Sequence, residues 1–262
     1  MALAVTEPSG GSDVANLKTR AVRDGDFYRV TGSKTFITSG IRADYYTVAV
    51  RTGGDGFAGI SLLLVEKGAP GFSVGRKLKK MGWWASDTAE LFFDDCRVPV
   101  SNLIGAENMG FAGIMANFQS ERLSLAIMAN MTAQLAFEEA MKWAQRREAF
   151  GKPIGKFQVL KHRLAEMATQ LEVSREFTCR QAAKMAAKMA AGKSVIKEIS
   201  MAKNFATDMA DRLTYDALQI MGGMGYMRES LVERLYRDNR ILSIGGGSRE
   251  IMNEIISKQM GL

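Results

Sequence analysis

The 262 residues contain one histidine, two cysteines and four prolines, and each scarcity removes a class of chemistry. A single imidazole, His162, cannot build a histidine-rich metal site. His162 is also the one residue on which a His-based triad could be built, and no such triad is expected. Cys96 and Cys179 are far apart and in no ligand-like spacing, which excludes a zinc cluster or a disulfide framework and points to a reducing compartment. His162 lies in K-H-R at the start of a helical pattern and reads as a surface or packing residue. There is no run of like charges and no Arg/Lys stripe interleaved with aromatics, which argues against a nucleic-acid partner. No uncharged apolar stretch approaches membrane-spanning length. The N-terminal M-A-L-A-V-T-E-P lacks the basic flank and long apolar core of a signal peptide. A cytoplasmic location (the mitochondrial matrix in a eukaryote) is therefore expected, with no membrane partner.

What is present is ordinary for a globular chain: 47% apolar and 24% charged residues, enough length for one large core or two smaller ones. The formal charge of +7 and a pI near 9.4 favour an anionic, phosphate-bearing small molecule. The hydrophobic period changes along the chain. Over the first hundred residues, short β-rich runs alternate with turns: K-T-R-A-V-R and D-F-Y-R-V-T around Asp24-Gly25, then D-Y-Y-T-V-A-V-R, I-S-L-L-L-V-E, F-S-V-G-R-K-L and A-E-L-F-F-D-D-C-R-V-P. This spacing predicts an antiparallel sandwich or barrel, with both central residues of the Asp24-Gly25 hairpin at positive φ. From about Asn108 the period is helical. One pattern runs to Arg147, a second from Phe157 to Gly192, a third from Val195 to Ile220, and shorter ones follow around Leu231–Arg237 and after Ser248. Helices with short connections make a bundle. The expectation is an α+β chain: a β domain over 1–104 and an antiparallel four-helix-type bundle over 105–262, with the helix methionines as core filler.

Four stretches carry candidate chemistry. L-A-V-T-E-P-S-G-G-S-D-V-A-N (Leu3–Asn16) has hydroxyls and adjacent glycines that let a backbone approach an anion. K-T-F-I-T-S-G (Lys34–Gly40) sets an aromatic beside a threonine hydroxyl. R-R-E-A-F-G-K-P-I-G-K-F-Q (Arg146–Gln158) places arginines at a helix end, where they could fork onto phosphate or complement the helix dipole. Q-I-M-G-G-M-G-Y-M-R-E (Gln219–Glu229) is a glycine-broken helix end. In this order they resemble the acyl-CoA dehydrogenase family. The first fits its T-E-x-x-x-G-S-D flavin signature; Gln219 through Glu229 and Arg234 to Asp238 fit its second; K-M-G-W-W-A-S-D-T-A-E-L-F-F-D-D-C-R-V-P is similar to its β-domain ending.

The resemblance implies an FAD-dependent oxidoreductase that converts an acyl-CoA thioester to the 2-enoyl-CoA in fatty acid β-oxidation. It also implies electrons passed to an electron-transfer flavoprotein, and a homo-oligomer, dimer or tetramer, in which neighbouring subunits share the cofactor. It assigns Val5, Thr6 and Ser12 to the flavin and its diphosphate, Ser12 also to the substrate. Phe36 would pack on the flavin ring and Thr38 bond near its N5. Arg147, Gln158, Gln219, Gly222 and Gly223 would hold the adenine end of an FAD bound mainly in the partner. Ser248 and Glu250 would be the last cofactor contacts, and Ala149 replaces a residue that is often polar. The family also has a helical domain ahead of the first signature, whereas this sequence begins two residues before it. The expectation is a chain lacking that domain, with a non-catalytic FAD-binding or assembly remnant as the alternative to an enzyme.

The remaining question is the base. Many members carry a Glu in the loop matching R-I-L-S-I-G-G-G-S-R-E-I-M, at the position of Gly246. The isovaleryl- and long-chain-like branch places it instead on the first long bundle helix, where this chain has F-Q-S-E-R-L-S-L-A. The resemblance therefore makes Glu121 the base and Arg122 the arginine that follows, both at the substrate. Gly246 offers its backbone N–H to the thioester carbonyl, with Gly247 also lining the substrate. Such a base should be a buried carboxyl with a raised pKa. The competing reading of Glu121 is an exposed helix residue paired with a nearby arginine.

Overall fold

The computed structural model describes residues 1–190 and 195–262. It divides into two compact units, Met1–Asn117 and Phe118–Leu262. The expected helix end at Gly192 lies outside the described residues.

The first unit is built on one eight-stranded sheet: β1 (Ala2–Ala4), β2 (Arg20–Asp24), β3 (Phe27–Thr38), β4 (Tyr45–Arg51), β5 (Ile60–Glu66), β6 (Phe72–Lys77), β7 (Thr88–Pro99) and β8 (Leu103–Ile104). The order is β6-β7-β3-β2-β4-β5-β8, with β1 also on β4. Most pairs are antiparallel, as the alternating pattern implies, but β4 runs parallel to both β1 and β2. Strand β7 shows how the pattern works: Leu91, Phe93, Cys96 and Val98 point into a core shared with Tyr28, Val30, Tyr46, Val48 and Leu63. Burying each such side chain contributes roughly 1.5–3 kcal/mol. The β2–β3 hairpin corrects one expectation. Asp24 pairs with Phe27, so the turn residues are Gly25 and Asp26, and of these only Gly25 takes a positive φ, +61°. One mirror-image residue is enough to match the strand twist.

The second unit is helical. Helix α1 (Gly110–Arg146) is followed by a two-residue hairpin, β9 (Glu148–Ala149) with β10 (Lys152–Pro153), then α2 (Gln158–Ala190), α3 (Ile196–Met221), α4 (Gly223–Tyr226), α5 (Leu231–Asn239) and α6 (Arg249–Gln259). Ala126, Ala129, Ala133, Ala136, Ala140 and Ala144 are all buried on α1. Spaced three and four apart, they form one buried small-residue face of the helix. The methionines divide. Met167, Met185, Met209 and Met252 fill the core, whereas Met128 and Met131 are 42% and 56% exposed. Those two sit off the alanine face, so helical spacing alone does not bury them.

Candidate active site

In the first unit two of the sequence stretches come together. The Thr35 N–H donates to the Thr6 carbonyl over 2.9 Å, joining the Val5–Ser12 loop to the Lys34–Gly40 segment. Behind that junction lies an ion pair invisible to pattern reading. Lys34, fully buried, donates from Nζ to Glu7 Oε1 (2.8 Å) and to the Val5 carbonyl (3.0 Å). The Glu7 carboxylate also accepts from the N–H groups of Lys18 (2.6 Å) and Thr19 (2.9 Å). Burial opposes ionisation of Glu7, but Lys34 and these N–H groups outweigh it and hold the carboxyl below its usual range. Burial pushes the Lys34 ammonium down to about 8 against the pull of Glu7.

The far end of the same segment is pinned by Asp87, which accepts from the Ile41 N–H (2.7 Å) and pairs with Arg42. Between the two anchors β3 departs from regular register against β7, at Lys34–Ile37. There Phe36 sits at φ +58° with its side chain 68% exposed. A bulky residue in the left-handed region is a conformation that only its surroundings can impose. Ile37 points inward, and Phe36 and Thr38 stand exposed on the opposite face. Val5 and Thr6 are half-buried and Ser12 is exposed.

In the second unit the triple glycine meets α1. Arg122 is buried and its Nε donates to the Gly246 carbonyl over 2.9 Å. Gly246 and Gly247 have φ of +66° and +101°, a path that side-chain-bearing residues rarely follow. A Cβ placed on Gly246 would lie 2.8 Å from Leu125 Cδ1 and 3.7 Å from Glu121 Oε1. A Cβ on the loop would thus stand in van der Waals contact with the carboxyl on α1. Glu121 is half-buried, and burial raises its pKa against the pull of Arg122 and Lys203. The N–H groups of Gly246, Gly247 and Ser248 meet no acceptor among the described residues. They lead into α6, whose first turn Ser248 caps by accepting from the Ile251 N–H (3.4 Å). Glu250 is held below its usual value by its own backbone N–H and the Ser248 hydroxyl, both at that helix start.

The other expected cofactor residues gather elsewhere in this unit. Arg147 follows the last residue of α1, Gln158 opens α2, and Gln219 lies in the last turn of α3, all exposed. The hairpin between α1 and α2 is closed by the Ile154 N–H on the Arg147 carbonyl, 2.8 Å, and Ala149 sits on it. Arg163 pairs with Asp216, drawing the start of α2 to the end of α3. There Gly222, at φ +59°, ends the helix, and neither it nor Gly223 has an atom within 4 Å of an added Cβ. From Lys203, beside the glycine turn, to Gly222 is nineteen residues of α3, about 28 Å at 1.5 Å per residue. The unit therefore carries two separate groups of candidate residues.

Two family models cover nearly the whole chain. The acyl-CoA dehydrogenase middle domain matches residues 2–96 and the acyl-CoA dehydrogenase C-terminal domain matches residues 108–261. The chain belongs to the acyl-CoA dehydrogenase family. It is similar to cyclohexane-1-carbonyl-CoA dehydrogenase of Geobacter metallireducens, 40% identical over 98% of this chain and 66% of that protein. It is also similar to an acyl-CoA dehydrogenase of Bacillus subtilis, 43% identical over 99% of this chain and 68% of that one. Among solved structures, an acyl-CoA dehydrogenase from Geobacillus kaustophilus superposes with a TM-score of 0.95 at 46% identity, over all of this chain and 68% of that one. PigA, solved with FAD and proline, does so at 0.94 and 30%, over all of this chain and 67% of that one. The chain thus spans about two thirds of the length of these relatives. The family is one of FAD-dependent oxidoreductases. No described helix is long and apolar enough to cross a membrane.

Proposed function

We propose that this chain forms the flavin- and thioester-binding part of an FAD-dependent acyl-CoA dehydrogenase, with Glu121 as the base. The observation that carries the reading is the convergence of Glu121 Oε1 on the space a Gly246 side chain would fill. The two alternative base positions of the family thus serve one location, and the glycine leaves it to the helix carboxyl. A carboxyl whose pKa is raised by burial is suited to accept a weakly acidic α-proton. The free N–H groups beginning at Gly246 donate to the thioester carbonyl, where negative charge gathers as that proton leaves. Arg122, fixed on the Gly246 carbonyl, holds the turn in that orientation, and Gly247 gives the acyl group room.

The residues present fit a flavin. Phe36 offers an exposed aromatic face and Thr38 a hydroxyl on the same side of β3; the loop joined to that segment at Thr6 adds the apolar side chain of Val5 and the hydroxyls of Thr6 and Ser12. Ser248 and Glu250 supply polar groups at the start of α6. FAD supplies the acceptor for the β-hydrogen, which leaves as hydride. Gly222, grouped with Arg147, Gln158, Gln219 and Gly223, stands about 28 Å along α3 from Lys203, which lies beside the Gly247 turn. That separation favours a homo-oligomer in which they hold the adenine end of a second copy's cofactor. Electrons then pass to an electron-transfer flavoprotein. Buried Cys96 and exposed Cys179, both free thiols, fit a reducing compartment.

The test is anaerobic mixing of flavin-loaded protein with a panel of acyl-CoAs while flavin absorbance is followed. Bleaching by at least one acyl-CoA is expected, as is a Glu121→Gln variant that keeps its flavin but reduces it about a thousandfold more slowly. Near wild-type reduction by that variant refutes the assignment. A yellow protein that no acyl-CoA bleaches supports the non-catalytic remnant.

A further inference from the structure

Lys203 is the buried charge that the mechanism above does not use. It sits on α3, fully buried, and pairs directly with no carboxylate among the described residues. Its Nζ instead donates to the Gly247 carbonyl. Taking an ammonium out of water with no carboxylate in direct contact is unfavourable, so its one hydrogen bond, to the turn, carries the interest.

The geometry around the turn indicates what that bond does. Arg122 holds the Gly246 carbonyl and Lys203 the next one. In a trans peptide the N–H points opposite to the carbonyl. Drawing these two oxygens toward the cations therefore turns the N–H groups of Gly247 and Ser248 away from them. The turn needs such tethering, because its positive-φ glycines give it little intrinsic preference. The charged groups facing Lys203 are Arg122 and Glu121 from α1 and Glu250 from α6, and Arg122 and Lys203 face Glu121. Burial and the repulsion of Arg122 bring Lys203 down to about 8. At neutral pH it still carries its proton.

We propose that Lys203 is a positioning residue for deprotonation by Glu121: its ammonium tethers the Gly245–Gly247 turn through the Gly247 carbonyl and supplies positive charge facing the carboxylate. The proposal rests on the reading of Glu121 as the base. Lys203 touches neither thioester nor flavin in this role; it acts through the turn and through Glu121.

The test compares isotope-labelled wild type, Lys203→Met and Lys203→Arg by NMR, with Glu121→Gln identifying the Glu121 carboxyl signal. In Lys203→Met the Glu121 titration midpoint should move upward. Backbone order parameters at Gly246, Gly247 and Ser248 should fall from about 0.85 toward about 0.6 as the tether is lost, and Lys203→Arg should restore both toward wild type. In flavin-loaded protein the acid limb of flavin reduction should move to higher pH in Lys203→Met. A folded Lys203→Met with unchanged Glu121 midpoint and unchanged order parameters overturns the proposal. Should that variant fail to fold, wild type decides alone. The Gly247 carbonyl shift must titrate together with the Lys203 ammonium near pH 8, and independence of the two overturns it. The NMR readouts need neither flavin nor acyl-CoA. Positive NMR results with no flavin reduction therefore defeat the dehydrogenase reading alone, and normal flavin reduction with negative NMR results defeats the role of Lys203 alone.

Discussion

Among the described residues, each unit buries one lysine completely, and the two are partnered in opposite ways. Lys34, in the sheet unit, meets a carboxylate at 2.8 Å whose remaining oxygen capacity is filled by two backbone N–H groups. Lys203, in the helical unit, meets a carbonyl, a repelling arginine and two carboxylates that it does not pair with. Both ammonium groups are pushed down to about 8 by burial, so depression of a lysine by itself does not distinguish a structural site from a functional one. The partners do. A closed, fully hydrogen-bonded pair holds two loops together and leaves no group free to react. An open set of charges around an unpaired carboxyl leaves that carboxyl available.

Four experiments sharpen or break this contrast. The largest effect is expected for Lys34→Met, which strands the Glu7 carboxylate in the core. A loss of about 3–5 kcal/mol in unfolding free energy by denaturant titration is the expected cost, and a loss below 1 kcal/mol would mean the pair is not closed as described. Lys203→Met strands no directly paired carboxylate, and relief of the buried ammonium's desolvation offsets the one charged hydrogen bond it loses, so a much smaller change, within about 1.5 kcal/mol of wild type, is expected. The third experiment varies pH. A lysine at about 8 in the folded chain and 10.5 in the unfolded one means that the unfolded chain binds more protons between those values. Stability should therefore rise with pH across that window. Either lysine-to-methionine change should flatten the rise, and an unchanged slope in both variants removes the basis of the comparison.

The smallest effect is expected at the open site itself. Glu121 has its pKa raised by burial, so its ionised form costs stability at neutral pH. Glu121→Gln should stabilise the protein by ~1 kcal/mol at pH 7. The gain should fade as pH falls through the raised folded value toward 4.5, and vanish well below that, where Glu121 is protonated in both folded and unfolded states. A destabilised Glu121→Gln at pH 7 would place that carboxylate in a stabilising pair instead.

Much of the fold was legible because periodicity reports burial. The alternating residues of β7 and the three- and four-residue spacing of Leu164, Met167 and Leu171 on α2 correspond to buried faces. The helix breaks at Gly222-Gly223 and before Ser248 also fall where glycine and capping chemistry predict them. Spacing says nothing about strand neighbours distant in the chain, and so the parallel pairing of β4 with β1 and β2 was not legible. The candidate site residues were reachable through motif resemblance, but Lys203 was not. It lies in an ordinary amphipathic helix, M-A-K-N-F, where a lysine reads as solvated. Lys34 and Glu7 were hidden for the same reason: they are twenty-seven residues apart, and only the fold makes them a pair.

Taken alone, the residue order determined the change from period two to helical period, the glycines at which helices break, and the family to which the motifs point. Those are local properties, set by backbone sterics and by which side chains repeat on one face. Only the tertiary structure decided that a helix carboxyl and a loop glycine share one space. It also decided that one buried lysine is neutralised and the other is not. Both depend on groups brought together from distant parts of the chain, where removal from water, and not sequence neighbourhood, sets the energy of a charge.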